Sequence, residues 1–477
     1  MAHLQFTIDY HTAWGEQVCL CGNLPGLGNG NEAAAAVLAP DGDNWQLAVD
    51  AGEATEISYY YFIRKENTTV RREWGARRSF LLTDGTDEFI VHDLWKNEPL
   101  HSYLYSSVFT DTLFRHEKTP PSSVYHPHTV VLNVMCPYVS RNQIVMVSGE
   151  CEALGQWDPK RGMALSYMDD GTWQVMLDAK ELPPCSSYKF VIVDRHSGDA
   201  VHWEDGGNRV LNVALAREES NKVYVEGTLL FRYDGFAYRG TGTAIPLFSL
   251  RSEESFGIGD FADLRKAVDW AVATRQQLLQ LLPVNDTTAT KTWRDSYPYN
   301  SISAYALHPI YLGCRDYPLK QEKKQEVFLQ EAKELNSLPE LDYEGVLSLK
   351  SRYARELYLQ EKETVMASED YRAFVEKNKS WLFPYVCYCY LRDKYGKAVL
   401  KEWEGYAEYD EAQLRELIDT DAVAGEETRY WTFIQYMLHR QFTAARAYAH
   451  EKGVALKGDI PIGIHRNSID AWVASSL

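Results

Sequence analysis

A polar, aromatic segment between positions 285 and 303 holds the side chains best suited to chemistry. Their hydroxyl, carboxylate and amide groups can hydrogen-bond a ligand rich in hydroxyls, and their rings can stack on it. These residues are Asp286, Asp295, Tyr297, Tyr299, Asn300, Ser301 and Ser303. The composition favours a neutral, polyhydroxylated ligand, and an ordinary polar loop is the alternative that composition alone leaves open.

The residues in front of this segment predict the elements that position it. The apolar run Ala244 to Leu250 predicts a strand, and Asp260, after two glycines, predicts the start of a helix. The near-continuous apolar run Leu278 to Val284 predicts a second strand, parallel to the first and covered on both faces. Reactive groups of such a unit lie at the carboxyl ends of its strands, which is where the segment 285–303 begins.

A long helical, charged stretch separates this unit from a third predicted strand. Positions 313 to about 430 predict a large helical insertion, and a further helix from about Glu426 ends at Gly453. Val454 to Ile462 then predicts a strand that brings Asp459 to the same edge of the sheet. We interpret the aromatic residues of positions 381–390 as core.

The first half of the chain contains an internal repeat of short strands and turns. Positions 1–98 and 127–228 each predict a β-sandwich, and a linker with Pro120 and Pro121 separates them. The fold class predicted is two all-β, immunoglobulin-like sandwiches, followed from 240 to 477 by the N-terminal part of a (β/α)8 barrel.

Both repeats resemble starch-binding domains of carbohydrate-binding module family 20. The second repeat keeps the pattern LGQWD at 154, YKF at 188 and WEDGGNR at 203. Two indoles can stack on successive sugar rings while polar side chains bond the hydroxyls. The resemblance thus predicts a starch-binding site made by Trp157, Lys189, Trp203, Glu204 and Asn208; the alternative places both tryptophans in the core.

The first repeat departs from this pattern. It has Gly30, Tyr60 and Arg72 where the second has the two tryptophans and the lysine. Trp74 lies two residues after Arg72, and two positions along a strand keep a side chain on the same face. A reduced platform of Trp74 and Tyr60 is therefore the hypothesis for this repeat.

The second half resembles glycoside hydrolase family 77, the amylomaltases and disproportionating enzymes, with most likeness to the plant cytosolic type. The resemblance rests on an ordered series of motifs: IPLFSL, GIGDF, LLPVND, DSYPYNSISAYALHP and GDIPIGIHRNSIDAW. It implies a 4-alpha-glucanotransferase whose carboxylates act after the fourth and fifth barrel strands. Three strands are predicted here, so we expect both catalytic carboxylates beyond Leu477 and no activity from the 477-residue chain alone.

The resemblance also implies secondary site residues. Asp459 matches the family's carboxylate at the end of the third strand, and Tyr299 matches the ring that lines the same sugar subsite. Asp295 and Tyr297 are close to Tyr299 in sequence. A noncatalytic starch-binding protein and an α-amylase-type hydrolase are the competing hypotheses.

Composition limits the partners and the compartment. The formal charge of −18 argues against nucleic acid, which needs a clustered basic surface. No apolar run predicts a membrane span or a signal peptide, so we expect a cytoplasmic protein whose partners are maltose, maltooligosaccharides, starch or glycogen. The eight cysteines predict reduced, structural thiols, and no metal or other cofactor is expected.

Overall fold

The computed structural model describes residues 2–75, 77–83, 85–119, 126–169, 171–213, 221–463 and 465–474. The chain divides into two compact units, Met1–Tyr238 and Arg239–Leu477. Pro120 and Pro121 of the predicted linker lie outside the described residues. None of the helices described is long and apolar enough to cross a bilayer.

The first repeat is built from two layers of strands. They are β1 (His3–Asp9), β2 (Glu16–Gly22), β3 (Ala36–Val37), β4 (Ala39–Asp41), β5 (Asn44–Asp50), β6 (Glu56–Lys65), β7 (Thr68–Arg72), β8 (Arg78–Leu81) and β9 (Glu88–Leu94). One layer has the order β4-β5-β1-β9 and the other has the order β3-β2-β6-β7, with β8 paired to β6. Alternate side chains of β1, namely Leu4, Phe6 and Ile8, are fully buried between the layers, as the period of a strand requires.

The second repeat has the same arrangement. Its strands are β10 (His128–Met135), β11 (Gln143–Gly149), β12 (Met163–Ala164), β13 (Ser166–Asp169), β14 (Thr172–Asp178), β15 (Cys185–Asp194), β16 (Ala200–Trp203), β17 (Arg209–Asn212) and β18 (Lys222–Leu230). One layer has the order β13-β14-β10-β18, and the other has the order β12-β11-β15-β16, with β17 paired to β15. The predicted strands are present in both repeats, together with shorter ones that the sequence did not predict.

The two repeats share one sheet. β9 of the first pairs in parallel with β18 of the second, from Glu88 opposite Lys222 to His92 opposite Glu226. This pairing joins the two four-stranded layers into a continuous sheet of eight strands. The apolar core of the first repeat also takes in four side chains of the second: Val131, Met176, Val223 and Val225.

The second unit contains a three-stranded parallel sheet. β19 (Gly242–Ile245) pairs with β20 (Leu278–Leu281), which pairs with β21 (Ala455–Lys457). Helix α1 (Phe261–Ala273) connects the first two strands, and Asp260 and Asp263 form a capping box at its start, as the turn sequence predicted.

Helices fill the chain between β20 and β21. They are α2 (Glu322–Ser337), α3 (Tyr343–Met366), α4 (Glu369–Tyr395), α5 (Glu411–Thr420) and α6 (Ala422–Lys452), and the short α7 (Ile469–Val473) follows β21. α6 begins earlier than predicted because the Asp421 carboxylate accepts from the amides of Val423 and Ala424. Tyr385 and Tyr388 of α4 are fully buried, in agreement with their prediction as core.

All three strands of this sheet are shorter than predicted. A proline follows each of them, at positions 246, 283 and 461, and proline cannot donate to a sheet. The chain after β19 turns into a single 3-10 turn, Leu247–Ser249, instead of continuing as a strand. The residues after β20 and β21 are therefore released as loops at the carboxyl edge of the sheet.

Candidate functional site

Tyr299 and Asp459 meet at the carboxyl edge of the parallel sheet. Asp459 follows the end of β21 by two residues, and Tyr299 belongs to the loop after β20. The Tyr299 Oη donates to Asp459 Oδ2 over 2.7 Å, and the amide of Ile460 donates to Asp459 Oδ1 over 3.0 Å. The bond to this carboxylate raises the pKa of the Tyr299 phenol.

Tyr297 extends this pair with an exposed ring. Its ring centroid lies 5.6 Å from that of Tyr299 at an interplanar angle of 48°, and 62% of its surface is exposed. The structure thus brings together three of the four residues predicted for this site. They form an open surface of two phenol rings and one carboxylate, which is suited to stacking and hydrogen bonding.

Asp295 does not take part in this surface. Its carboxylate is buried and accepts hydrogen bonds from the amide and hydroxyl of Thr290 and from the amide of Lys291, over 2.6 to 3.0 Å. Burial raises its pKa. The prediction of Asp295 as a substrate contact is therefore replaced by a structural role, in which it closes the turn at Thr290.

Asp286, also singled out in the sequence, has a similar structural role. Its Oδ2 accepts from the Tyr385 hydroxyl over 2.8 Å, and its Oδ1 accepts from the amide and hydroxyl of Thr288. The side chain is fully buried. Asp286 therefore anchors the loop after β20 to helix α4.

The same loop forms one wall of a cavity that the sequence did not predict. The cavity has a volume of about 280 Å³ and is lined in part by Trp293, His308 and Tyr343. His308 Nδ1 accepts from the Ile310 amide, so its Nε2–H donates to the Tyr343 hydroxyl over 3.0 Å. Burial lowers the pKa of His308 to about 4 and keeps the imidazole neutral. Trp293, which lines this cavity, is 67% exposed, and no periodic pattern in the sequence indicated its position.

In the second repeat, Trp157 and Trp203 lie side by side. Their ring centroids are 6.3 Å apart at an interplanar angle of 51°. Trp157 is 36% exposed and ends a turn in which Gly155, Gln156 and Trp157 all have positive φ angles of 76°, 52° and 66°. Such a run is sparsely populated for residues with side chains, and it holds the Trp157 indole at the surface.

Glycine is required at the start of this turn. A Cβ on Gly155 would lie 2.5 Å from the carbonyl carbon of Arg161. The turn therefore packs directly against the backbone that follows it, which fixes the position of Trp157.

Lys189 and Glu204 hold the loop beside these indoles. The Lys189 ammonium donates to the carbonyl oxygens of Glu204 and Gly206 over 3.0 and 2.7 Å. The Glu204 carboxylate is buried, where it accepts from the Phe190 amide and from the Arg209 guanidinium. The prediction that Glu204 bonds the rim of a sugar is wrong, because its oxygens are inside the sandwich. Asn208 lies exposed in the same loop.

In the first repeat, an ion pair occupies the corresponding region. The Arg72 guanidinium donates to both Glu32 oxygens over 2.7 Å, and the Tyr60 hydroxyl donates to Glu32 over 3.0 Å. The bond from Arg72 lowers the pKa of Glu32 to about 2. Tyr60 is thus directed to Glu32 and is also covered by the Arg77 guanidinium.

Trp74 does not complete a platform with Tyr60. β7 ends at Arg72, so the two-residue spacing no longer keeps Trp74 on the strand face. Its ring packs instead against Tyr105, at a centroid distance of 4.8 Å. The platform hypothesis for the first repeat is therefore wrong.

Comparison with known proteins assigns both halves of the chain. Residues 245–477 match the glycoside hydrolase family 77 model, described as 4-alpha-glucanotransferase, and residues 1–89 and 127–223 match the starch binding domain of family 20. The 4-alpha-glucanotransferase DPE2 of Oryza sativa subsp. japonica is 31% identical over 99% of this chain and 52% of its own length. The 4-alpha-glucanotransferase of Chlamydia trachomatis is 35% identical over 48% of this chain and 42% of its own length.

Among solved structures, an amylomaltase from Streptococcus agalactiae in complex with acarbose is similar to this chain. The TM-score is 0.41, and the sequences are 22% identical over 50% of this chain and 47% of the amylomaltase chain. The chain spans about half the length of the curated relatives it matches. Residues 245–477 are thus a domain of glycoside hydrolase family 77, the 4-alpha-glucanotransferases, and two starch-binding domains of family 20 precede it.

Proposed function

We propose that the protein transfers α-1,4-glucan segments or glucosyl units from maltose or maltooligosaccharides to glucan acceptors, with retention of anomeric configuration. The contact between Tyr299 and Asp459 carries this proposal, because it joins two residues from separate family motifs at the carboxyl edge of the sheet. Cytoplasmic α-glucans, including starch or glycogen, are the substrates and partners proposed.

Retaining transfer needs a carboxylate nucleophile and a second carboxyl group that protonates the leaving oxygen. An acceptor sugar then takes the place of water in the second step. In this scheme Asp459 is a substrate-binding group, which accepts hydrogen bonds from sugar hydroxyls beside the bond that is cleaved. Tyr299 orients the Asp459 carboxylate, and the rings of Tyr297 and Tyr299 stack on the sugar.

We further propose that β19, β20 and β21 are the first three strands of a (β/α)8 barrel. Their parallel pairing, the helix α1 between the first two, and loops that carry the polar residues at their carboxyl ends support this assignment. The two-layer repeats are proposed to be immunoglobulin-like sandwiches.

The second repeat is proposed to hold the glucan. Its two indoles provide the stacking surface, and Asn208 lies in the adjoining loop to bond sugar hydroxyls. Lys189 acts indirectly in this arrangement, since its ammonium fixes the carbonyls of that loop. The first repeat, with the Glu32 ion pair in the corresponding region, contributes less affinity.

The test of the transferase uses the protein extended past Leu477 to include both expected catalytic carboxylates. It is incubated with maltose and glycogen, and both released glucose and glycogen chain lengths are followed. Transfer releases glucose and elongates the outer chains, with no net gain of reducing ends. Hydrolysis would raise reducing ends in proportion to glucose and leave chain lengths unextended, and that result would contradict the proposal.

A noncatalytic starch-binding protein is the second hypothesis. It receives less support, because residues 245–477 match a transferase family. Glycogen binding without any change in maltose or in chain length would favour it.

A further inference from the structure

A cavity of about 320 Å³ lies where α3, α4 and α6 meet the loop after β20. The cations on its wall are Lys291, Arg352, Arg355 and Arg392, and the carboxylate on its wall is Asp393. It is separate from the Tyr299 and Asp459 surface, since neither of those residues lines it. Nothing in the proposed transfer reaction uses this cavity.

Two residues that line the cavity each have a buried donor without a hydrogen-bond partner among the described residues. These donors are Arg392 Nη2 and Trp431 Nε1, and their residues are 2% and 8% exposed. Buried N–H groups in folded proteins almost always have an acceptor, so two of them beside one cavity point to an acceptor supplied by a ligand.

The other hydrogen bonds of the Arg392 guanidinium do not use its Nη2. Its Nε donates to Asp393 Oδ1 over 2.9 Å, and its Nη1 donates to the carbonyl and hydroxyl oxygens of Thr288 over 2.8 and 2.7 Å. The guanidinium carbon lies 5.2 Å from the Trp431 ring centroid, so the two groups form one side of the wall together.

The charge of the wall favours an anion. Arg352 pairs with Glu331, Arg355 pairs with Glu427, and Lys291 and Arg392 share Asp393. The lining of the cavity itself thus carries four cations and one carboxylate, within a chain whose formal net charge is −18. A local positive excess beside orphaned N–H donors is the environment that binds oxyanions.

The size and walls of the cavity indicate an organic anion. Small-molecule sites commonly have volumes of about 300 to 1,000 Å³, and this cavity lies within that range. The rings of Tyr430 and Trp431 and the side chain of Leu347 give it apolar walls beyond the cationic ones. An oxyanion group at Arg392 leaves room for a ring of monosaccharide size against these aromatic side chains.

We propose that this cavity binds a phosphate monoester of about monosaccharide size, with the phosphate oxygens accepting from Arg392 Nη2 and Trp431 Nε1. Arg355 and Lys291 attract the anion at the rim. Bound ligand also stabilises the loop after β20, because Arg392 bonds Thr288 and the Thr288 hydroxyl bonds Asp286.

The test is isothermal titration calorimetry of the 477-residue protein with glucose 6-phosphate, inorganic phosphate and glucose at constant ionic strength. We expect saturable binding of glucose 6-phosphate with a Kd of about 1 mM or below. Tighter binding of the ester than of inorganic phosphate would show that the sugar ring contributes, and equal binding would assign the affinity to the phosphate. Equal binding of neutral glucose, or no saturable heat with either phosphate, would overturn the proposal.

Two variants locate the site. Trp431→Phe removes the indole N–H and keeps an aromatic ring, and Arg355→Met removes a rim cation; we expect each to weaken binding about fivefold or more. Lys362→Met is the matched control, because Lys362 also pairs with a glutamate and lies over a tyrosine ring on α3, but does not line the cavity. Its Kd is expected to stay within about twofold of the parent.

If Trp431→Phe fails to fold, Lys291→Met replaces it, since the Lys291 side chain is half exposed. Parental affinity in both Arg355→Met and Lys291→Met would place the bound phosphate elsewhere and would contradict the proposed site.

Discussion

A carboxylate has about four lone-pair positions, and the number already filled decides whether it can bind a ligand. Asp459 is half-buried and accepts two hydrogen bonds, from the Tyr299 hydroxyl and from the Ile460 amide. Asp295 and Glu204 are buried and accept three or more bonds from within the protein. Of these three acidic groups, Asp459 alone retains capacity for a sugar hydroxyl.

Replacing Asp459 tests this reasoning in the transferase reaction. Asp459→Asn keeps the shape of the side chain but removes its charge, and we expect turnover to fall about tenfold or more because a charge-assisted bond to substrate is lost. Turnover of maltotriose and binding of glycogen are measured in parallel on the protein extended past Leu477 to include both expected catalytic carboxylates. Asp419→Asn, at an exposed position on α5, is the control. Unchanged turnover in Asp459→Asn would remove this residue from the site.

Replacing the paired indoles tests the starch-binding surface. Trp157→Ala combined with Trp203→Ala removes the stacking surface, and we expect a loss of about 2 kcal/mol or more, or about thirtyfold in Kd, as for aromatic anchors at interfaces. Calorimetry with β-cyclodextrin measures it. Trp74→Ala is the matched change in the first repeat and should retain parental affinity, because Trp74 packs against Tyr105. Binding lost in Trp74→Ala alone would reverse the ranking of the repeats.

At the scale of elements, both sandwiches contain the same ion pair around a buried glutamate. Glu73 accepts from the Tyr61 amide and from Arg78, which also donates to the Leu94 carbonyl. In the second repeat Glu204 accepts from the Phe190 amide and from Arg209, which donates to the Leu230 carbonyl. The pair therefore connects the strands of both layers at equivalent positions of each repeat.

Replacing Glu204 distinguishes this structural role from a contact with sugar. Glu204→Gln leaves the partly buried Arg209 without its counter-charge, and we expect a destabilisation of about 3 kcal/mol. Urea unfolding measures the change, and β-cyclodextrin binding of the folded fraction should stay at the parental Kd. Glu181→Gln, at an exposed position of the same repeat, is the control. Parental stability with weakened binding would restore Glu204 as a sugar ligand.

The sequence predicted the elements with strong local patterns. Alternation along β1 and the repeated motifs identified the sandwiches, and the order of the family motifs brought Tyr299 to Asp459 across 160 residues. The roles of Lys189 and Glu204 were not predictable in this way, because their partners are backbone groups and the partly buried guanidinium of Arg209, which only the tertiary fold brings near. The pairing of β9 with β18 likewise depends on contacts between distant segments, which no local period encodes.

At the scale of the first unit, His92 connects the two repeats. Its Nδ1 lies 3.3 Å from Glu226 on β18, and its Nε2 lies 3.4 Å from Asp9 on β1. The hydrogen bond with Glu226 raises the pKa of His92 to about 9 from its ordinary 6.5. A neighbouring ion pair also connects the repeats: the Lys222 Nζ on β18 lies 2.6 Å from Glu88 Oε2 on β9.

The pH dependence of stability follows from this shift. Because the folded pKa lies above the unfolded one, the stabilisation by His92 is complete below about pH 6.5 and is lost as the pH rises through about 9. The difference in unfolding free energy between the parent and His92→Gln should thus be largest at about pH 6 and smallest at about pH 10. Urea unfolding of the segment 1–238 measures it, with His11→Gln, at an exposed position, as the control. A difference that does not change with pH would show that His92 acts as a neutral group.

The shared sheet and shared core predict that the two starch-binding domains unfold together. Met176 belongs to the second repeat but packs in the core of the first, so Met176→Ala should destabilise both by about 2 to 5 kcal/mol. Hydrogen exchange is measured on peptides from β1 and β15, and both should lose protection equally. Met163→Ala, at an exposed position in the second repeat, should change neither. In a separate measurement, limited proteolysis of the parent is expected to yield a fragment that ends near Tyr238, because the first compact unit ends there. Peptides of β1 that keep parental protection in Met176→Ala would show that the domains unfold independently, despite the pairing of β9 with β18.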